Sequence, residues 1–273
     1  MNITQVVELK RNGGLPTSRL EPEVELPASR PAQPDGHLHG ADIETARAIV
    51  GHAPLSDDGW LAPLEAYALL DAFGIPRVPT TAIGSEADAV DMARRLGFPV
   101  ALKGVGRRIP HKTEAHAVEI NLIDEGSVRR AYRSLAPRRG HDIEQILVQP
   151  MVYGAEFLVG AVLDPTFGHV IVGGSGGTLV ELRHDTVCRL HPMTDVSADE
   201  MLEGIRGTAL LRGFRRAPAG GESALRDVLL RVSAMIDACP DIIDLDLNPV
   251  IVTATGAQAV DVRIRVERHG GRP

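Results

Sequence analysis

The sequence predicts an α/β (α+β) fold arranged as two lobes. Helical and strand periodicities alternate along the chain, and several strands follow one another directly, as at 157–163 and 169–172. Hydrophobic residues make up 44% of the sequence but aromatics only 3%, so the core has to be built from Ala, Val, Leu and Ile. At 273 residues there is enough chain for one large or two modest cores.

Residues 11–40 carry Gly13-Gly14 and several Pro, Ser, Arg and His without periodicity, which reads as a linker. Ile43 to Val50 has short helical spacing. A helix is expected after Ser56-Asp57-Asp58, through Trp60, Leu64, Leu69 and Phe73, and ended by Gly74. Val78–Ile83 alternates as a strand. Ser85-Glu86 opens a helix through Leu96 that Gly97 closes. Pro99–Lys103 and Val118–Leu122 read as strands, Ser127–Leu135 as a helix, and Gln145–Met151 as a strand. A strand pair is expected around Asp164-Pro165, then helices at Ser197–Ile205 and Ser223–Ile236. The chain divides on this reading into a flexible segment at 1–55, a two-part domain at 56–265 and a disordered tail at 266–273.

A net charge of −7 and few aromatics argue against a nucleic-acid platform. No apolar run approaches membrane-spanning length, and the N-terminus has no signal-peptide core. Two cysteines, Cys188 and Cys239, without a C-x-x-C pair, fit reduced thiols and a cytoplasmic location.

The most informative segment is Asp244-Leu-Asp246-Leu-Asn248-Pro249, followed by a Thr255-Gly256 turn and Val260-Asp261. On a strand, Asp244, Asp246 and Asn248 share one face, and the returning strand can bring Asp261 alongside Asn248. Oxygen ligands of this kind suit Mg2+, which shares its shell with water and phosphate. Such a carboxylate row also needs counter-charge. Lys103 ends an apolar strand beside a loop holding Arg107, Arg108, His111 and Lys112, a place where phosphate can be met. Gly173-Gly174-Ser175-Gly176-Gly177 is either a plain flexible turn or a phosphate-covering loop, with Glu181 just beyond. Gln149 and Glu156 flank a linker whose backbone could meet a base and whose carboxylate could meet a ribose. An imidazole ordinarily titrates near neutrality, so a histidine in this cationic loop, His111, can act as acid, base or phosphoryl acceptor.

The order of these pieces resembles the ATP-grasp fold, and more narrowly the β-subunit-like part of the NDP-forming acyl-CoA synthetases, including ADP-forming acetate–CoA ligase. The resemblance rests on Leu69–Pro76, Gly97–Lys103, His111-Lys112-Thr113, Ile146–Val152, Gly154-Ala-Glu156, Asp164–Gly168, Gly176-Gly177 with Val180-Glu181-Leu182, Leu210–Gly213, Asp246–Pro249 and Val260-Asp261. It implies a nucleotide site between two lobes for ATP/ADP and Mg2+. Lys103 would contact phosphates, with Gly176 and Gly177 in the phosphate loop. Gln149 and Val152 would meet the base and Glu156 the ribose, while Asn248 and Asp261 would hold the metal. It further implies His111 as a phosphoryl relay beside Lys112, Glu181 near the phosphoryl path, and an α-like CoA-binding partner through which CoA and a carboxylic acid enter. Glu114-Ala-His-Ala-Val118 lacks two glycines that the family keeps after the His-Lys-Ser motif, and Asp244 replaces a usual Glu. These departures leave a second expectation, a regulatory nucleotide-binding module without turnover.

Overall fold

The computed structural model describes residues 40–106, 117–140, 142–176, 185–213 and 220–268. They fall into two compact units. One comprises Pro54–Leu64 and Val78–Tyr153; the other takes the described residues of Met1–Ala53, Glu65–Arg77 and Gly154–Pro273. Every pairing among the named strands is antiparallel, which resolves the α/β expectation to its α+β form.

The first unit holds a four-stranded sheet of β1 (Thr81–Ile83), β2 (Val100–Val105), β3 (Val118–Leu122) and β4 (Gln145–Pro150), in the order β1-β4-β2-β3. Two amphipathic helices, α3 (Glu86–Leu96) and α4 (Glu125–Leu135), cover one face. Ala89, Val90 and Ala93 from α3 and Val128, Ala131 and Leu135 from α4 pack with Val100, Leu102, Ile146 and Val148. Burying each large aliphatic side chain contributes on the order of 2 kcal/mol. Helix α3 keeps its expected ends: Ser85 accepts a hydrogen bond from the Asp88 amide, and Gly97 closes it at φ +82°. Helix α4 starts two residues earlier than expected, because Asp124 is the N-cap and Ser127 bonds back to the Asp124 amide, forming a reciprocal capping box.

The other unit holds a sheet ordered β10-β8-β5-β6-β7, with β9 also paired to β8. Its strands are β5 (Ala155–Asp164), β6 (Gly168–Ser175), β7 (Thr186–Leu190), β8 (Ile242–Thr253), β9 (Gly256–Ala259) and β10 (Val262–Val266). Helices α5 (Asp195–Gly204) and α6 (Glu222–Ala238) pack on one face, where a Cβ at Gly173 would lie 2.9 Å from Met201 Sδ and 3.5 Å from Leu229. Helix α1 (Ile43–His52) falls inside the stretch expected to be flexible. It is tied down by bonds from Asp42 N to Ala72 O and from Arg268 to the carbonyls of Val50 and Ala53.

Three further expectations shift. Helix α2 runs only Pro63–Ala72, because Ser56 and Trp60 exchange hydrogen bonds that close a turn before it. The strand expected from Val78 shortens to Thr81–Ile83, since Pro79 has no amide for a ladder and Thr80 turns its hydroxyl back to Val78 O. Gly173 and Gly174 are not loop residues; they sit within β6, pressed against Met201 on one side and the Asp185 carbonyl on the other. Their lack of a side chain serves close packing inside the sheet. Among the described residues, no helix is long and apolar enough to cross a membrane.

Candidate functional site

Of the residues singled out from the sequence, His111, Lys112, Gly177 and Glu181 lie outside the described residues. The others form three local groups.

In the first unit, Lys103 and Gln149 share one face of the sheet. Ala101 is opposite Gln149 and Lys103 is opposite Leu147, so Lys103 and Gln149 are diagonal cross-strand neighbours. Val100 and Leu102 pack with α3 and α4, so pleating places Lys103 on the face away from those helices. Both residues are buried, Lys103 at 7% exposure and Gln149 at 1%. A buried ammonium on a sheet is costly unless an anion or several acceptors meet it. Gln149 donates through Nε2 to Thr80 Oγ1 at 2.7 Å, a partner that sequence spacing does not announce. Val152 follows β4, where the Met151 amide is anchored to Pro99 O.

In the second unit, Glu156 and Gly176 are brought together. The Gly176 amide donates to Glu156 O at 2.6 Å, and a Cβ on Gly176 would lie 2.8 Å from the Glu156 carbonyl carbon. Only glycine permits that approach. The Glu156 side chain is exposed.

The acidic row lies in the same unit. Val159 pairs with Gly173 and with Leu247, so Leu247 shares the face covered by α5 and α6. Asp244 and Asp246 therefore lie on the opposite face. Across from them on β10 stand Arg265 and Arg263. The counter-charge that the sequence demanded is thus a two-rung cross-strand ladder, with Asp244 and Arg265 4.0 Å apart. A register shift in β5–β8 sets Asn248 and Pro249 opposite Leu158 alone, a bulge that ends the regular row. Beyond it, Val260 N donates to Pro249 O at 2.9 Å, while Val262 is opposite Leu247. These two contacts bracket Asn248 and Asp261 and hold them next to each other across the strands.

Asp246 is the most perturbed group. Burial pushes its carboxyl up to about 7; Arg263 opposes this, and the charges of Asp244 and Asp261 add to it. Its Oδ1 is buried with no hydrogen-bond partner. Among the described residues, no three His, Cys, Asp or Glu side chains form a cluster able to enclose a metal alone. The donor set of Asn248, Asp261 and an unsatisfied Asp246 oxygen instead suits a hard cation that is held by one or two carboxylates and completes its shell with water and phosphate.

Residues 52–266 match the model of an ATP-grasp domain. The chain is 34% identical over 208 residues to a 4-hydroxybutyrate–CoA ligase [ADP-forming] of Nitrosopumilus maritimus, covering 73% of this chain and 30% of that one. It is 30% identical over 228 residues to the β subunit of acetate–CoA ligase [ADP-forming] I of Pyrococcus furiosus, covering 81% of this chain and 98% of that subunit. The chain thus spans under a third of the single-chain relatives and nearly all of the separate subunit. A dinucleotide-forming acetyl-coenzyme A synthetase of Ca. Korarchaeum cryptofilum, solved with coenzyme A and Mg-AMPPCP and with its phosphohistidine segment pointing towards the nucleotide-binding site, matches at TM-score 0.66. That match has 33% identity and covers 77% of this chain and 93% of that one. The chain belongs to the ATP-grasp family, in the branch formed by the β subunits of ADP-forming acetate–CoA ligases.

Proposed function

We propose that this chain is the nucleotide-binding component of an ADP-forming acyl-CoA synthetase, moving a phosphoryl group between ATP/ADP and a histidine. The complete reaction is acid + CoA + ATP = acyl-CoA + ADP + phosphate. The observation that carries this reading is the juxtaposition of Asn248 and Asp261 beside the buried, unsatisfied Asp246.

Asn248 and Asp261 would hold Mg2+, which when bound neutralises charge on the transferred phosphoryl group. Lys103 would meet the same phosphates, Gln149 and the backbone at Val152 the base, and Glu156 the ribose. Gly176, with Gly177, would present backbone amides to phosphate. His111 is the acceptor: a ring nitrogen forms a bond to the γ-phosphorus as the bond from that phosphorus to the bridging oxygen breaks, and ADP leaves. Lys112 and Glu181 would steady the charges along that path. The carboxylic acid and CoA would enter through an α-like CoA-binding subunit. This is supported by the separate β subunit in Pyrococcus furiosus and by the larger single-chain relatives.

Calorimetry with Mg-ATP and Mg-ADP tests the site. Micromolar binding is expected, falling about ten- to a hundredfold in Lys103→Ala and in Asp261→Ala, the range of a lost charge-assisted interaction. Unchanged affinity in both variants overturns the assignment. Incubation with γ-labelled ATP should leave an acid-labile, base-stable phosphoryl group that His111→Asn abolishes, with the α-like partner added if the chain alone is silent.

A further inference from the structure

We propose that Asp185 is a positioning residue for the nucleotide contacts Gly176 and Glu156, an inference that rests on the nucleotide-site reading above. Asp185 immediately precedes β7 and is 7% exposed. Its carboxylate is fully engaged. Oδ1 accepts from the Arg206 amide at 2.8 Å; Oδ2 accepts from the Gly207 amide at 2.8 Å and from Ser175 Oγ at 2.5 Å. Its carbonyl also accepts from the Ser175 amide at 3.0 Å. One side chain therefore joins the end of β6, the start of β7 and the first two residues of the 3-10 segment Arg206–Arg212.

The contacts around this junction are too close for side chains. A Cβ on Gly207 would lie 2.1 Å from Ser175 Oγ, and one on Gly174 would lie 2.7 Å from Asp185 O. One residue beyond Ser175, Gly176 sits against Glu156 with the same intimacy. The path runs from Arg206 and Gly207 through Asp185 to Ser175, then Gly176 and Glu156. Along it, a displacement at Asp185 has no slack to be absorbed before it reaches Gly176. The far end of the 3-10 segment is held by Arg212 on Glu222 at 2.5 Å.

A buried Asp hydrogen-bonded to a serine invites comparison with a base activating a nucleophile. The geometry argues otherwise: both carboxylate oxygens already accept backbone amides, so the serine hydroxyl is one of three donors gathered on a fixed acceptor. Ser175 donates to it as a tether. The chemistry of the junction is therefore structural in kind but placed next to the residues proposed to meet the ribose and the phosphates, so its loss should be felt in nucleotide affinity.

The test uses the full chain and Mg-ADP, with Asp185→Asn and Ser175→Ala as probes. In Asp185→Asn an amide donor replaces an acceptor facing the Gly207 amide. Ser175→Ala is the milder change and decides the matter should Asp185→Asn fail to fold. Thr194→Ala, which removes the N-cap of α5 in the same unit, serves as a control for lost stability. At a temperature where every variant is folded by circular dichroism, the inference expects Kd for Mg-ADP to rise at least tenfold in Asp185→Asn and about fivefold in Ser175→Ala. Thr194→Ala should lower Tm but leave Kd within twofold. Folded probe variants with wild-type Kd, or a control that weakens binding as much as they do, overturn the role of Asp185. Absence of binding by the unaltered chain would instead overturn the nucleotide reading beneath it.

Discussion

Asp246 on β8 lies directly across from Arg263 on β10, and Asp244, two residues earlier, lies across from Arg265. The acidic row is thereby made tolerable in a sheet interior without being neutralised from its own strand. On its other side Asp246 faces Gly160, which brings no side chain. Asp244 and Asp246 lie on the face of the sheet opposite the one packed with aliphatic residues, and the two arginines supply their counter-charge. Removing Arg263 leaves the buried Asp246 without the opposing charge across from it. Arg263→Ala should therefore lower the unfolding free energy by about 2–3 kcal/mol, whereas in an Asp246→Asn background the same change should cost under about 1 kcal/mol. Urea unfolding of the four proteins checks this; equal costs in both backgrounds would show that Arg263 does not act through Asp246.

The Gln149 side chain depends on Thr80, which comes from the irregular stretch before β1. Thr80→Val keeps the shape but withdraws the acceptor, leaving a buried amide one partner short, at about 1–2 kcal/mol. Thr80→Ser should restore most of the loss. Thermal unfolding of the three proteins decides it; a Val variant as stable as the wild type would assign the Gln149 orientation to other contacts.

Gly173 and Gly174 differ in what an added methyl would meet. At Gly173 it is the side chains of Met201 and Ile205; at Gly174 it is the Asp185 carbonyl and the Thr186 backbone as well as its methyl. Side chains can shift, whereas a paired backbone shifts only with its strand. Gly174→Ala should be the more destabilising, by about 2–3 kcal/mol against about 1 kcal/mol for Gly173→Ala. The reverse order in urea midpoints would contradict the packing described.

His191 supplies a pH dependence. Burial holds its imidazole below the ordinary histidine range, assisted by the neighbouring His169 ring and opposed by Asp237. One ring nitrogen meets Ser233 Oγ, which also receives the Met193 amide. Since the folded value is depressed, the unfolded chain takes up the proton first as pH falls through about 6.5. The contribution is complete above that pH and is lost below it. His191→Gln should narrow the difference in Tm between pH 7.5 and pH 5.5; an unchanged difference would locate the acid sensitivity in other groups.

Some of this protein was legible from sequence because the relevant physics is local. Helix α3 follows from Ser85 and Gly97, which flank its eleven residues, and the face shared by Asp244 and Asp246 follows from the two-residue period of a strand. The gathering of Asn248 and Asp261 needed only a hairpin and a turn. Helix starts were misplaced where a serine at the third helical position, Ser127 or Ser197, partners a cap three residues earlier. That distinction rests on backbone dihedrals rather than residue type.

What only the tertiary structure decided lies across long separations. The run Gly173-Gly174 reads as a loop until β7 and α5 are seen pressing on it. Arg263 and Arg265 become counter-charges only through the register of β10 on β8, and Asp185 joins β6 to Arg206 only because β7 returns beside it. Residue type and periodicity determined which elements form and which side chains could carry chemistry. Register and close packing determined which of those side chains meet, because both depend on partners far away in the chain.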